Sequence, residues 1–189
     1  MIDGSEGDGS LAAARSGDGQ AVVQLFHELH PRLTRFVAAS EPRVADDIVG
    51  EVWLAIARGI ANFEGDERAF RAWAFSIARR RIADHRRTNI RHKTDLTAPE
   101  GFDALTASDE TAQQAVDQLT GQEAARLVVT ILPAEQAEVI LLRVLADMEV
   151  DEVALVVGRS SNWVRVTQHR ALRKLADRVG HSAWASRSV

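Results

Sequence analysis

The sequence predicts an all-α protein built as two small helical domains joined by a flexible acidic linker. Three observations carry that expectation. Apolar residues recur at helical spacing along most of the chain, as in Phe70, Ala74, Ala78 and Ile82, and no alternating strand pattern lasts more than a few residues. The helical period lapses between Thr94 and Thr120, a stretch of roughly 25 residues and too long for a connection inside one compact domain. Within it Asp95, Glu100, Asp103, Asp109, Glu110 and Asp117 meet no Lys or Arg.

Composition narrows the class. The 189 residues are 46% hydrophobic and 26% charged, ordinary for a soluble protein, and they allow two domains near the lower size that sustains a core. The absence of cysteine excludes disulfides and thiolate metal sites. The longest apolar runs, such as Val153 to Val157, are too short to cross a bilayer, and the Gly-rich, acidic N-terminus is no signal peptide. No membrane insertion and a cytoplasmic location are expected. A formal net charge of −4 speaks against a nucleic-acid partner until its distribution is read. From Gly158 to Arg178 the bases Arg159, Arg165, Arg170, Arg173, Lys174 and Arg178 face Asp177 alone, and local patches decide phosphate contact.

Residues 1–18, rich in Gly, Asp and Ser, read as a disordered tail. The first domain spans residues 19–93. A helix begins near Gln20 with Val22, Val23, Phe26, Leu29, Leu33, Phe36 and Val37, and Pro31 is expected to kink or restart it. His27 and His30 lack a third ligand nearby and read as helix residues rather than a metal site. After Glu41-Pro42, a second helix from about Val44 to Ala61 turns Ile48, Val52, Ala55 and Ile56 inward, with Trp53 at the edge. Asp46, Asp47 and Glu51 lie near its N-terminal end. There they favour the helix dipole or offer an acidic docking surface to a basic partner. Asn62 to Glu67 is a polar turn. The helix from Ala69 to Lys93 adds Trp73 and Ile77 to its apolar stripe. Its other side carries Arg71, Arg79, Arg80, Arg86, Arg87 and Arg91, with Phe75 off the stripe among them. Aromatic surface beside arginine suits an unpaired nucleic-acid strand, although a core helix with a solvated basic face has the same pattern.

The second domain spans residues 121–180, followed by a C-terminal tail, 181–189. Gly121 to Thr130 is helical. Pro133 opens the next helix, whose buried face is Val139, Ile140, Leu142, Val144 and Leu145. A short helix (Val150, Val153, Ala154, Val157), a turn at Gly158 and a cap at Ser160 or Ser161 make a helix-turn-helix. On its second helix Val164, Ala171, Leu172, Leu175 and Val179 point inward. Asn162, Val166, His169, Arg170 and Arg173 point outward, flanked by Arg165 and Lys174. Such a helix sets its N-terminal residues at base edges and its basic residues at phosphates. Trp163, also outward, has no role on that face. No phosphate-cradling loop, triad or metal spacing points to an enzyme, a cofactor or a metal, and no catalytic residue is assigned.

In this order, with the acidic stretch between, the two halves resemble a bacterial RNA polymerase sigma factor of the extracytoplasmic-function type. HPRLTRF (30–36), ADDIVGEVWLAI (45–56) and FRAWAFSIARRRIADHRR (70–87) resemble the family's region two. LPAEQAEVILLRVLADM (132–148), EVALVVGRS (152–160) and VRVTQHRAL (164–172) resemble region four. The resemblance implies a transcription initiation factor that binds RNA polymerase core and directs it to specific promoters, recognising and melting their DNA. Asp46, Asp47, Glu51 and Trp53 would then dock on the coiled coil of the beta-prime subunit. Asn62, Phe63, Phe75, Arg79, Arg80, Arg86 and Arg87 would capture the unwound minus-ten strand. Ser161, Asn162, Arg165, Val166, His169, Arg170, Arg173 and Lys174 would read the minus-thirty-five element. The beta flap is a further implied contact, the linker threads toward the catalytic cleft, and an anti-sigma factor is a candidate partner. Three residues depart from the family pattern: Gly50 in the docking helix, Leu155 in the first helix of the helix-turn-helix, and Thr167 where a basic residue is common. The competing reading is a stand-alone helix-turn-helix regulator, with the N-terminal half as a dimerisation or sensing domain.

Overall fold

Helical periodicity translates directly into the elements observed. The computed structural model describes residues 5–95 and 121–185, with side chains from Gly9 to Ile90 and from Gly121 to Arg178 apart from Gln122. The acidic linker expected at 94–120 lies almost wholly outside the described residues.

The N-terminal segment departs from expectation. Ser5–Arg15 forms a helix, α1, whose Leu11 and Ala14 are buried in the core. The Gly, Asp and Ser content of this segment hides the run Leu11 to Ala14, which has high helix propensity and just enough apolar surface to hold one face down. Asp18 then caps α2 (Gly19–Ser40), its Oδ1 accepting the backbone N–H of Gln20 at 2.8 Å and of Ala21 at 3.3 Å. Pro31 neither stops nor restarts this helix, because its ring lies on the exposed side and α2 runs through it. α3 spans Ala45–Gly59 and tightens into a 3₁₀ turn at Ile60–Asn62. At Gly59 a Cβ would lie 2.8 Å from the Trp73 ring, so this glycine permits close packing of α3 on the helix that follows.

That helix, α4 (Glu67–Asp95), is the centre of the fold. Asp66 accepts the N–H of Ala69 at 2.8 Å and caps its first turn. Phe70, Ala74, Ala78 and Ile82 are all buried, as their spacing predicts. Phe75 is buried too, at 0% exposure, with its ring edge-on to Phe36 at 5.5 Å. The second domain supplies α5 (Gly121–Ile131), α6 (Ala134–Val144), α7 (Val150–Val157) and α8 (Ser161–Ala185). α8 therefore extends into the stretch expected as a C-terminal tail. Glu149 and Glu152 form a reciprocal capping box at the start of α7, and Gly158 (φ 66°) ends it in the left-handed region. Two expected inward residues are not inward: Val144 on α6 is 67% exposed and Leu172 on α8 is 49% exposed. Val144 is the last residue of α6, and Leu172 lies one step past buried Ala171 on α8.

No strand occurs among the described residues. The two domains do not stand apart. α4 packs along α7 and α2 packs along α5. Ala125, Val139, Leu142, Met148, Val153 and Val164 join Phe36, Phe70, Phe75 and Val52 in one continuous core. Two short ion pairs cross the boundary, Arg71 to Glu152 at 2.7 Å and Arg79 to Glu138 at 2.6 Å. Arg32 approaches Asp147 at 3.7 Å, and the Arg35 guanidinium donates to the Leu145 carbonyl at 3.4 Å.

Candidate nucleic-acid interface

The helix-turn-helix presents a row of exposed polar side chains. Ser160 Oγ accepts the N–H of Trp163 at 3.2 Å, and Ser161 Oγ donates to Asp151 at 2.5 Å, which pins the start of α8 against α7. Val164 and Ala171 face the core. Thr167 is buried with them, so the position where a basic residue is common faces the domain interior and not a phosphate. Asn162, Arg165, Val166, His169, Arg170, Arg173 and Lys174 are all exposed. They fall at helical steps along one face of α8, and that face does not pack against the first domain. The ring of Trp163 is half-buried under the Arg159 guanidinium, 5.5 Å from its centroid. This contact accounts for an aromatic that the outward face left unexplained.

The arginines of α4 are placed differently. Arg79, Arg80, Arg86 and Arg87 line one wall of an open groove of about 830 Å³. Glu135 and Glu138 of α6 stand on the opposite wall, with Phe36, Leu141 and Val156 between them. Arg79 is held by Glu138. The Arg86 Nε donates to Glu41 at 2.6 Å and its Nη2 to the Ser40 carbonyl at 3.3 Å, while Arg87 pairs with Asp84 within the helix at 3.1 Å. Arg80 is exposed. Asn62 is exposed at the turn before α4, and Phe63 is half-buried among Phe70 and Trp73, 5.5 and 5.2 Å away. Phe75 is not available to a base, because α4 is buried on both its α2 and α3 sides and the ring fills the gap to Phe36. It is removed from the strand-capturing set.

On α3, Asp46, Asp47 and Glu51 are exposed, and Glu51 has Arg81 at 3.4 Å. Trp53 is half-buried, its indole N–H donating to His30 Nδ1 at 3.2 Å. His27 and His30 have no companion acids or histidines that would make a metal site among the described residues. No described helix is long and apolar enough to cross a membrane.

Comparison with known proteins decides what this arrangement is. Residues 25–92 match the model of sigma-70 region 2, and residues 122–175 match that of sigma-70 region 4. The chain is 31% identical over 186 residues to the ECF RNA polymerase sigma factor SigD of Mycobacterium tuberculosis, covering 94% of this chain and 86% of that one. The chain belongs to the ECF sigma factors. The sigma factor is also 30% identical over 178 residues to ShbA of Streptomyces griseus, covering 86% of this chain and 89% of the relative. Its fold matches CnrH, solved with the cytosolic domain of CnrY, with a TM-score of 0.65 at 22% identity over 95% of this chain and 99% of that one. It also matches the sigma factor RpoE, solved with the anti-sigma factor NepR from Bartonella quintana, with a TM-score of 0.56 at 19% identity over 84% and 95% of the two chains. The sigma factor is thus a transcription initiation factor that directs RNA polymerase to promoters, and the stand-alone regulator is not favoured.

Proposed function

We propose that the free sigma factor is a closed form in which one DNA reader stands free and the other, although exposed, shares a groove with the second domain, and that binding to polymerase core parts the two domains. The observation that carries this reading is the asymmetry between the basic faces. Asn162, Arg165 and His169 stand open on α8, whereas Arg79 is tied to Glu138 across the domain boundary and, with Arg80, Arg86 and Arg87, lines a groove that the second domain also lines. In this reading Ser161, Asn162, Arg165, Val166 and His169 read the minus-thirty-five bases, with Arg170, Arg173 and Lys174 on phosphates. Asn62, Phe63, Arg79, Arg80, Arg86 and Arg87 take the unwound minus-ten strand once the groove opens. Asp46, Asp47, Glu51 and Trp53 dock on core.

Three phosphate-directed cations on α8 give a shallow dependence on salt, a slope of about −3, so the chain alone binds duplex weakly. The second reader gains nothing until strands separate and the domains part. The sigma factor then acts in the cytoplasm by binding alone, with no catalytic chemistry of its own. A partner that seats in the groove and braces both walls would hold it inactive, which is the role this reading gives to an anti-sigma factor.

The test is promoter affinity of the purified chain with and without core at near-physiological salt, together with permanganate mapping of unpaired thymines. Core is expected to raise affinity and to make melting appear. Tight, sequence-specific duplex binding by the chain alone, unchanged by core, would overturn the closed-form reading.

A further inference from the structure

Glycine inside a helix is disfavoured over every residue but proline, so each one calls for a local reason. Gly59 has such a reason in the Trp73 ring. Gly50, in the middle of α3, has none within the chain: a Cβ there would meet nothing within 4 Å, and it sits on an exposed face. What surrounds it on that face is not bland. One turn before it stand the exposed carboxylates of Asp46 and Asp47, with Glu51 beside it. Three residues after it, Trp53 belongs to a pre-assembled aromatic shelf. The Phe26 ring stacks on His30 at 4.5 Å and 17°, and leans on Trp53 at 4.8 Å. The Trp53 N–H bond to His30 fixes the indole, and Phe26 remains 38% exposed. Leu54, one turn after Gly50, is 57% exposed.

A rigid aromatic centre with a charged rim is the anatomy of a protein interface, and its core residues do most of the binding. Side chains at the point of crossing set how near two helices approach, and a bare glycine brings the axes closest. We propose that Gly50 is the point of closest approach between α3 and a basic helix of polymerase core, seated between the acids and the Phe26–His30–Trp53 shelf. The occupant follows from charge: the exposed carboxylates of Asp46 and Asp47, with Glu51 already near Arg81 at 3.4 Å, select a partner helix rich in Lys or Arg. This inference rests on the proposed docking role of α3 and deepens it. Core affinity then depends on the absence of a side chain at residue 50 as well as on the acids around it.

The test uses the full-length chain and purified polymerase core. Gly50→Ala removes a helix-disfavouring residue without touching any neighbour, so its melting temperature should rise by about 2–4 °C. Its affinity for core should nonetheless fall at least tenfold. A gain in stability joined to a loss of binding is what a contact role predicts and a purely structural role does not. Phe26→Ser should also lose core affinity while leaving duplex binding through α8 unchanged. Wild-type core affinity in Gly50→Ala, or a lowered melting temperature, overturns the seat. The Asp46→Lys, Asp47→Lys double variant tests the underlying docking role separately. If it binds core normally, that role fails; if it loses binding while Gly50→Ala does not, only the seat fails.

Discussion

Replacing Arg71 by alanine should open the molecule before it unfolds it. Glu152 is 2% exposed, and its carboxylate has two partners: the Arg71 guanidinium at 2.7 Å and the backbone N–H of Glu149 at 2.6 Å. Removing one member of a buried pair strands the other, typically at about 3–5 kcal/mol. The Arg71 side chain is 22% exposed, so some water reaches the gap and the lower end, about 3 kcal/mol, applies. The chain can relieve that cost by parting α4 from α7, which returns Glu152 to solvent and keeps each domain folded. At 1.4 kcal/mol per decade the closed–open balance shifts about 100-fold. Glu152→Gln is the informative companion. It keeps one carbonyl oxygen for one of the two donors, sets an NH2 against the other and leaves Arg71 partly in water, so its effect should be about 1–2 kcal/mol. Small-angle scattering should show a larger radius for Arg71→Ala than for Glu152→Gln. A fluorescent single-stranded oligonucleotide carrying the minus-ten sequence should bind the variants more tightly in the same order. Unchanged radius and melting temperature in Arg71→Ala, or a stronger effect from Glu152→Gln, would refute the reasoning.

Other outcomes separate the roles assigned to single residues. Arg165→Ala should cost about 1–3 kcal/mol on the preferred upstream sequence and little on others, whereas Arg173→Ala should weaken all duplexes alike and lower the salt slope by about one. Filter binding across a salt series distinguishes the two. Arg80→Ala should impair open-complex formation on duplex promoters and be rescued by a pre-melted bubble; equal defects on both templates would argue against a melting role. Phe75→Ala should destabilise the whole fold by about 3–5 kcal/mol in urea unfolding, with no selective loss of strand capture.

The readability of this chain follows from which interactions are local. The helices and the turn at Gly158 are written in neighbouring residues, so α2 to α4 and the helix-turn-helix appear at their expected places, and the outward face of α8 is exposed throughout. Phe75 was misplaced because a single stripe was assumed for α4. A central helix is packed on more than one side, and residues off the main stripe are then buried as well. Val144 and Leu172 show the converse, since periodicity alone does not tell an edge residue from a core residue. Helix α1 was hidden by composition. The pairing of Arg71 with Glu152 had no sequence signal at all, because it joins two helices far apart in the chain whose docking is a tertiary fact. Glu152 reads as an ordinary first-turn acid, and only its burial marks it.

The groove-lining arginines of α4 bear on how the factor behaves in a crowded cell. Arg79, Arg80, Arg86 and Arg87 on a helix with aromatic neighbours would attract any flexible polyanion, unpaired RNA included. In the form described, Glu135 and Glu138 of the second domain line the same groove, and Glu138 pairs with Arg79. The exposed face on α8, in the proposed reading, fits a duplex groove, a shape that coding transcripts do not offer over much of their length. In the proposed closed form Glu135 and Glu138 would compete with transcripts for the charge on α4, leaving more of the idle pool to compete for polymerase.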